Sequence, residues 1–216
     1  MRILVTAGAT REPIDSVRYI SNLSTGRTGA ILSEELCRQG AQVVHLAGLE
    51  AVSPQALDQL ELIRFSSFQN LRERMQSLLS QQKFDAVIHC AAVSDYSVRD
   101  PFPGKLSSDP EEVTLVLKRN PKLIHELMSF SCHPFLKVIA FKLTDTREPH
   151  LRLQAIERLS LHPEIALVVH NDLSEIKSAE EHPFHIYQGS ERVSGAFGPR
   201  PLAQWLFQVF RGEKQQ

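Results

Sequence analysis

The sequence predicts an α/β fold: a doubly wound, mainly parallel sheet with helices on both faces and a small extra strand or hairpin region. Three observations predict it. Runs such as "RILVTA" (2–7), "AQVVHLAG" (41–48) and "FDAVIHCAAV" (84–93) are apolar without strict alternation, as strands covered on both faces are. Amphipathic stretches at helical spacing lie between such runs. The first run ends in "TAGAT", a glycine turn of the Rossmann-like kind. With 216 residues, 42 % of them hydrophobic, the chain reads as one domain, 1–216.

Each element follows in order. After the strand 2–7, "GAILSEELCRQG" (29–40) places Ile31, Leu32 and Leu36 on one helical face, with Gly40 as a C-terminal cap. The second strand is 41–48 and the third "LELIRF" (60–65). "SFQNLRERMQSLLSQQ" (67–82) is a helix with Ser67 at its N-cap. The run 84–93 is a fourth strand. "SDYSVRDPFPGKLSSDPEE" (94–112) carries three prolines and reads as a long, mobile active-site loop. "VTLVLKR" (113–119) alternates, as an edge strand open to a second subunit would. "NPKLIHELMSF" (120–130) is a helix with Pro121 at its first position. Buried strands "LKVIAFKL" (136–143) and "EIALVVHND" (164–172) flank the helix "REPHLRLQAIERLSL" (147–161). A hairpin, "FHIYQGSERVSGAF" (184–197), and a last helix, "PLAQWLFQVFRG" (201–212), complete the chain.

Composition excludes several classes. With 24 basic and 25 acidic residues, no global field favours nucleic acid or a membrane surface. Cys37, Cys90 and Cys132 form no CxxC pair and no disulfide framework. No apolar run approaches the ~20 residues of a spanning helix. Met1 leads directly into a strand, and the expected compartment is the cytoplasm.

In an open parallel sheet, ligands bind at the carboxyl ends of strands. "TAGAT", "CAAVSDY", "FKLTDT" and "HNDLS" should therefore share one rim. The stretch from the glycine of "TAGAT" to the one that opens the first helix is nineteen residues long (8 to 26), where a Rossmann turn needs only a handful. Ser24, Thr25 and Gly26, just before that helix, offer hydroxyls and N–H groups to a phosphate; the alternative is an ordinary N-cap turn. Neither GxGxxG nor GxxxxGK[ST] is present, and the second strand ends "HLAG", without the acidic residue that would hold a ribose there. Ala91 and Ala92 would let a base approach the backbone, or would simply pack beneath a helix. Asp95 could accept from a hydroxyl or a base amine. Lys105, on the flexible loop, could close over phosphates or stay solvated. Arg18 suits a carboxylate or phosphate, and Asn22 can orient a group or stabilise a tetrahedral oxygen. No HxxxH or HExxH occurs, and no metal-ligand set is assigned.

Taken in order, "VTAGATREPIDSVRYISNLSTGRTG", "AAVSDY", "GKLSS", "NPKLI", "FKL" and "ND" resemble phosphopantothenoylcysteine synthetase, the phosphopantothenate–cysteine ligase family. The resemblance covers nearly the whole chain. It implies a stand-alone ligase without the flavin decarboxylase domain that precedes many bacterial members. Such a ligase would join 4′-phosphopantothenate and L-cysteine through an acyl-nucleotide, using CTP or ATP with Mg2+. It further implies a homodimer and a separate decarboxylase as a candidate partner.

By resemblance, Asn22 handles the acyl-nucleotide, Arg18 binds substrate, and Lys105 offsets charge as pyrophosphate forms. Gly8, Ala9, Thr10, Ser24, Thr25, Gly26, Ala91, Ala92 and Asp95 fall to the nucleotide. So do the turn Pro121, Lys122, Leu123 and Ile124, and the aromatic Phe141. "FKL" is similar to the ATP-using eukaryotic form, yet CTP is favoured. The two lysines that bacterial members carry after that strand lack counterparts, and Arg152 and Arg158 are the substitutes to examine. Two other readings stand beside the ligase: a nicotinamide-dependent reductase, and a non-catalytic nucleotide-binding partner of a flavoprotein decarboxylase.

Overall fold

The computed structural model describes residues 1–178 and 182–212. Its core is an eight-stranded sheet. Six strands are parallel: β1 (Arg2–Ala7), β4 (Gln42–Gly48), β5 (Leu60–Phe65), β6 (Ala86–His89), β9 (Lys137–Thr144) and β10 (Ile165–Asp172). The hairpin β11 (Pro183–Gln188) and β12 (Glu191–Phe197) continues the sheet antiparallel, so that the order is β12-β11-β10-β9-β6-β1-β4-β5. The predicted hairpin is thus part of the main sheet rather than an appendage. The chain winds outward from β1 to β5, then returns to place β6 on the other side of β1. The crevice beyond β1 and β6 is therefore the topological switch point.

Alternation along each strand feeds two cores. Leu4, Val44, Val87 and Val138 face α2 (Phe68–Gln81), α3 (Leu127–Phe130) and α4 (Pro149–Ser160). Ile3, Val5, Ile88 and Ile139 face α1 (Arg27–Arg38) and α5 (Pro199–Arg211), where Leu32 and Leu36 meet Leu202 and Leu206. The Ser67 hydroxyl caps α2 as predicted, accepting from the Asn70 N–H at 3.3 Å.

Three expected elements differ. The long first loop contains a small hairpin, β2 (Arg11–Pro13) with β3 (Tyr19–Ser21). The strand expected over 113–119 is only β8 (Leu117–Arg119), and it pairs antiparallel with β7 (Tyr96–Val98) in a separate ribbon. Residues 113–116 fall outside the ladder, although the Val116 carbonyl still accepts from the Arg99 N–H at 2.8 Å just past β7. The helix expected over 120–130 is a 3-10 turn (Leu123–Glu126) followed by the single turn α3. Pro121 lies ahead of both. Lys122, next in the chain, keeps extended backbone (φ −80°, ψ 97°), so the helix cannot begin at Pro121.

Candidate active site

The switch point holds a cavity of about 590 Å³, within the range of small-ligand sites. Its walls come from residues 22–29, 89–95, 121–124 and 141–143, with Asn171 at the end of β10. Two glycines make the floor possible. Gly8 (φ 82°) and Gly26 (φ 71°) adopt left-handed backbone, and a Cβ on either would lie 2.5 or 2.7 Å from the Ala51 Cβ. Gly26, the N-cap of α1, has no side chain to cap it, the Thr25 hydroxyl accepts from the Arg27 N–H at 3.4 Å, and the first turn is free of acidic residues. The leading N–H groups of α1 therefore face the cavity with the positive end of the helix dipole.

Of the sequence-predicted residues, Asn22, Ser24, Thr25, Gly26, Ala91, Ala92, Asp95, Pro121, Lys122, Leu123, Ile124 and Phe141 line this cavity. They come from four chain segments, and the parallel topology brings them together.

Gly8, Ala9 and Thr10 do not line it; they hold the wall in place. The Ala92 N–H donates to the Gly8 carbonyl at 2.8 Å, and Ala9 bridges Ala92. The buried Thr10 hydroxyl accepts from the Ser94 N–H at 3.0 Å. These contacts prolong the β1–β6 pairing past the strand ends and fix the 91–95 turn.

Arg18 and Lys105 also lie away from the cavity walls. Arg18 pairs with Asp15 at 3.0 Å and donates to the Leu106 carbonyl at 3.3 Å. The Asp15 side chain is shielded from solvent and accepts from the N–H groups of Val17, Arg18 and Leu106. The Val17 bond leads in holding its carboxyl below the usual range, against the opposing effect of burial. The Ser16 N–H donates to the Gly104 carbonyl at 3.0 Å, and the Phe102 N–H to the Ile14 carbonyl at 2.8 Å. The segment 102–106 is thereby fastened to the 14–18 turn on both sides of Lys105, whose own side chain is exposed.

Arg152 is not a free phosphate ligand. Its guanidinium is taken by Asp172 at 3.2 Å, Glu175 at 2.5 Å, the Ser174 hydroxyl and the Thr146 carbonyl. Arg158 does not line the cavity either.

Of the cationic residues, Lys122 was expected at the nucleotide, whereas Arg27 and Lys142 were not singled out. Arg27, Lys122 and Lys142 line the cavity against one acidic side chain, Asp95. Lys142 was legible in "FKL" but not separable there from a strand lysine facing solvent. Asp95 pairs with Lys122 at 2.5 Å, joining the 91–95 wall to the 121–124 wall. Asn120 reinforces that joint: its side-chain N–H donates to the Ser94 carbonyl at 2.9 Å, and its backbone N–H to the Asp95 carbonyl at 2.8 Å. His89 stays neutral: burial pushes it down to about 4, and its Nδ1 meets the Thr6 hydroxyl at 2.8 Å. Among the described residues one carboxylate lines the cavity, already ion-paired, so these residues form no magnesium cage of their own.

A cationic, glycine-floored cavity at a switch point fits a nucleotide or another polyanion without naming the reaction. Residues 1–193 match the family model of the DNA/pantothenate metabolism flavoprotein C-terminal domain. The chain belongs to this family. Flavoprotein C-terminal domains of this kind occur in the coenzyme A biosynthesis bifunctional protein CoaBC. The CoaBC of Methanocaldococcus jannaschii is 36 % identical over 176 residues, 81 % of this chain and 41 % of that protein. That of Thermococcus kodakarensis is 32 % identical over 206 residues, 95 % of this chain and 50 % of that protein. The chain thus spans about half the length of the curated relatives it matches. The crystal structure of a DNA/pantothenate metabolism flavoprotein from Streptococcus pneumoniae superposes with a TM-score of 0.87 at 26 % identity, covering 99 % of this chain and 100 % of that one.

Proposed function

We propose that this flavoprotein C-terminal domain is a phosphopantothenate–cysteine ligase of coenzyme A biosynthesis. The observation that carries the reading is the single cavity, in a chain related to CoaBC proteins, that gathers Asn22, the 24–26 turn, the 91–95 turn, the 121–124 turn and Phe141. In the first step a carboxylate oxygen of 4′-phosphopantothenate attacks the α-phosphorus of the nucleotide, and pyrophosphate leaves. In the second, the cysteine amine attacks the acyl carbon, the nucleoside monophosphate departs, and an amide remains.

Each residue has a part in this scheme. The α1 N-terminus, Lys122 and Lys142 receive the triphosphate, where positioning and electrostatic stabilisation dominate the barrier. Phe141 and the small Ala91 and Ala92 accept the base. A magnesium ion bound with the nucleotide would supply further charge neutralisation beside Lys122 and Lys142. Asn22, exposed at the cavity edge, holds the acyl-nucleotide for the amine. Lys105 reaches in from its fastened segment as pyrophosphate forms, and Arg18 positions that segment. The nucleotide is CTP in preference to ATP.

A homodimer is part of the proposal, supported by the exposed Val113, Val116 and Leu117 along β8 and its approach. A flavin-dependent decarboxylase is the partner that would consume the product.

The test mixes phosphopantothenate, cysteine and magnesium with CTP or ATP and follows pyrophosphate. Release that requires phosphopantothenate, with more from CTP, is the expected outcome. No release with either nucleotide sinks the ligase. Saturable NADPH binding in its place would favour a reductase.

A further inference from the structure

We propose that His125, His162 and Glu164 form a binding site for a divalent transition-metal ion of the zinc type, outside the cavity and independent of the ligase reading. Among the described residues, this is the cluster whose ligand atoms converge as a metal site requires. His125 Nδ1 lies 3.3 Å from Glu164 Oε1, and His162 Nδ1 lies 3.5 Å from the same oxygen. An ion bonded at about 2.0–2.1 Å in tetrahedral geometry places neighbouring ligand atoms about 3.3–3.4 Å apart. An octahedral ion at the same bond lengths would draw them to about 2.8–3.0 Å. Both distances to Glu164 Oε1 match the tetrahedral value, and two imidazoles with one carboxylate suit zinc better than the hard, oxygen-seeking magnesium or calcium.

The frame around these atoms is built. His162 and Glu164 come from one turn, "HPE", stiffened by Pro163 and closed by the Ile165 N–H donating to the His162 carbonyl at 3.0 Å. His125 comes from the 3-10 turn opposite, its N–H on the Lys122 carbonyl at 3.0 Å. His125 Nδ1 is shielded from solvent, and its contact with Glu164 Oε1 at 3.3 Å is not aligned as a hydrogen bond. The His162 side chain is 41 % exposed, which leaves room for a water as fourth ligand.

The two rings now stack, with centroids 3.6 Å apart and planes 27° from parallel. Lone pairs converging on one tetrahedral ion meet at roughly 109°. Binding must therefore unstack the rings. It would also tie the 121–126 segment, which walls the cavity, to the start of β10.

The experiment titrates the full chain with Co2+ as a spectroscopic probe and then displaces it with Zn2+. The expected result is one equivalent with visible absorption of tetrahedral intensity, lost on zinc addition, and a melting temperature that rises with zinc concentration. His162→Ala and Glu164→Gln should each weaken binding more than about tenfold, since even outer-shell partners are worth 10–100-fold. His125→Ala/His162→Ala should abolish it, while His133→Ala/His150→Ala should leave it intact. Metal-free melting curves establish that the variants fold, and Glu164→Gln decides if the double variant does not. Wild-type protein that binds no equivalent, binding that survives in the folded double variant, or equal loss in the control pair would overturn the site.

Discussion

Asn22 and Lys105 carry opposite halves of the proposed chemistry, and their surroundings differ accordingly. Asn22 sits on the cavity edge, ahead of helix α1. Asn22→Ala should still form the acyl-nucleotide but pass it slowly to cysteine. Rapid-quench analysis checks this, and an intermediate that never appears would remove the assigned role. Lys105→Gln should slow pyrophosphate release by about 2–4 kcal/mol, the scale on which single charge-stabilising donors act; a wild-type burst would make it a bystander. Asp15 ties Arg18 to the Lys105 segment through four hydrogen bonds to its carboxylate, one of which is also the ion pair with Arg18. Asp15→Asn removes the charge at that joint. Tryptic cleavage after Lys105 should become severalfold faster, and an unchanged rate would show that the other backbone bonds suffice.

At the scale of elements, the turn from β1 to α1 is the most constrained piece of the fold. Gly26→Ala puts a side chain on left-handed backbone and a Cβ 2.7 Å from that of Ala51 and 3.1 Å from the Gly8 nitrogen. We expect a loss of about 2–4 kcal/mol in urea unfolding, with weaker nucleotide binding. Glu12, in β2, is buried and joins three elements. One oxygen accepts from the Phe68 N–H at the start of α2 (2.9 Å) and the other from the Ser97 hydroxyl (2.7 Å). Glu12→Ala should cost about 2–3 kcal/mol, read from the same transition. Sequence alone could not assign Glu12 such a role, because its partners are 56 and 85 residues away. The parallel strands and α2 were legible because period and capping are local signals. The β2–β3 hairpin and the short β7–β8 ribbon were not, because three-residue strands carry no periodicity. In the site, the cavity-lining turns were read from their order along the chain. The anchoring roles of Thr10 and Arg18 depend on contacts that no spacing records.

For the whole molecule, acid should be the weak point. Burial holds His45, His89 and His170 each at about 4, with Arg64 adding to the effect at His45 and His185 at His170. In the unfolded chain the same groups titrate near 6.5. Between these values the unfolded state binds more protons, so stability rises with pH across about 4 to 6.5 and falls on acidification. With three groups the slope reaches roughly 4 kcal/mol per pH unit at its steepest. Asp15 and Asp172 are shifted the other way, their carboxyls held low by hydrogen bonds that outweigh burial. Their contribution is present above about 4 and drains away only below the histidine window. Denaturant midpoints from pH 7 to 5 check the prediction, and a flat profile refutes it. The packing of α5 on α1 bears on how such a molecule is made. Leu202 and Leu206 cover Leu32 and Leu36, and Gln204 reaches Glu35 at 3.0 Å. The helix that offers its amino end to the ligand is thus clasped by residues translated about 170 positions later. Until those residues clear the ribosome, α1 keeps an oily flank exposed. The nascent chain can stack most of its strands and still lack a finished phosphate cradle, a window in which a holdase chaperone would find its purchase.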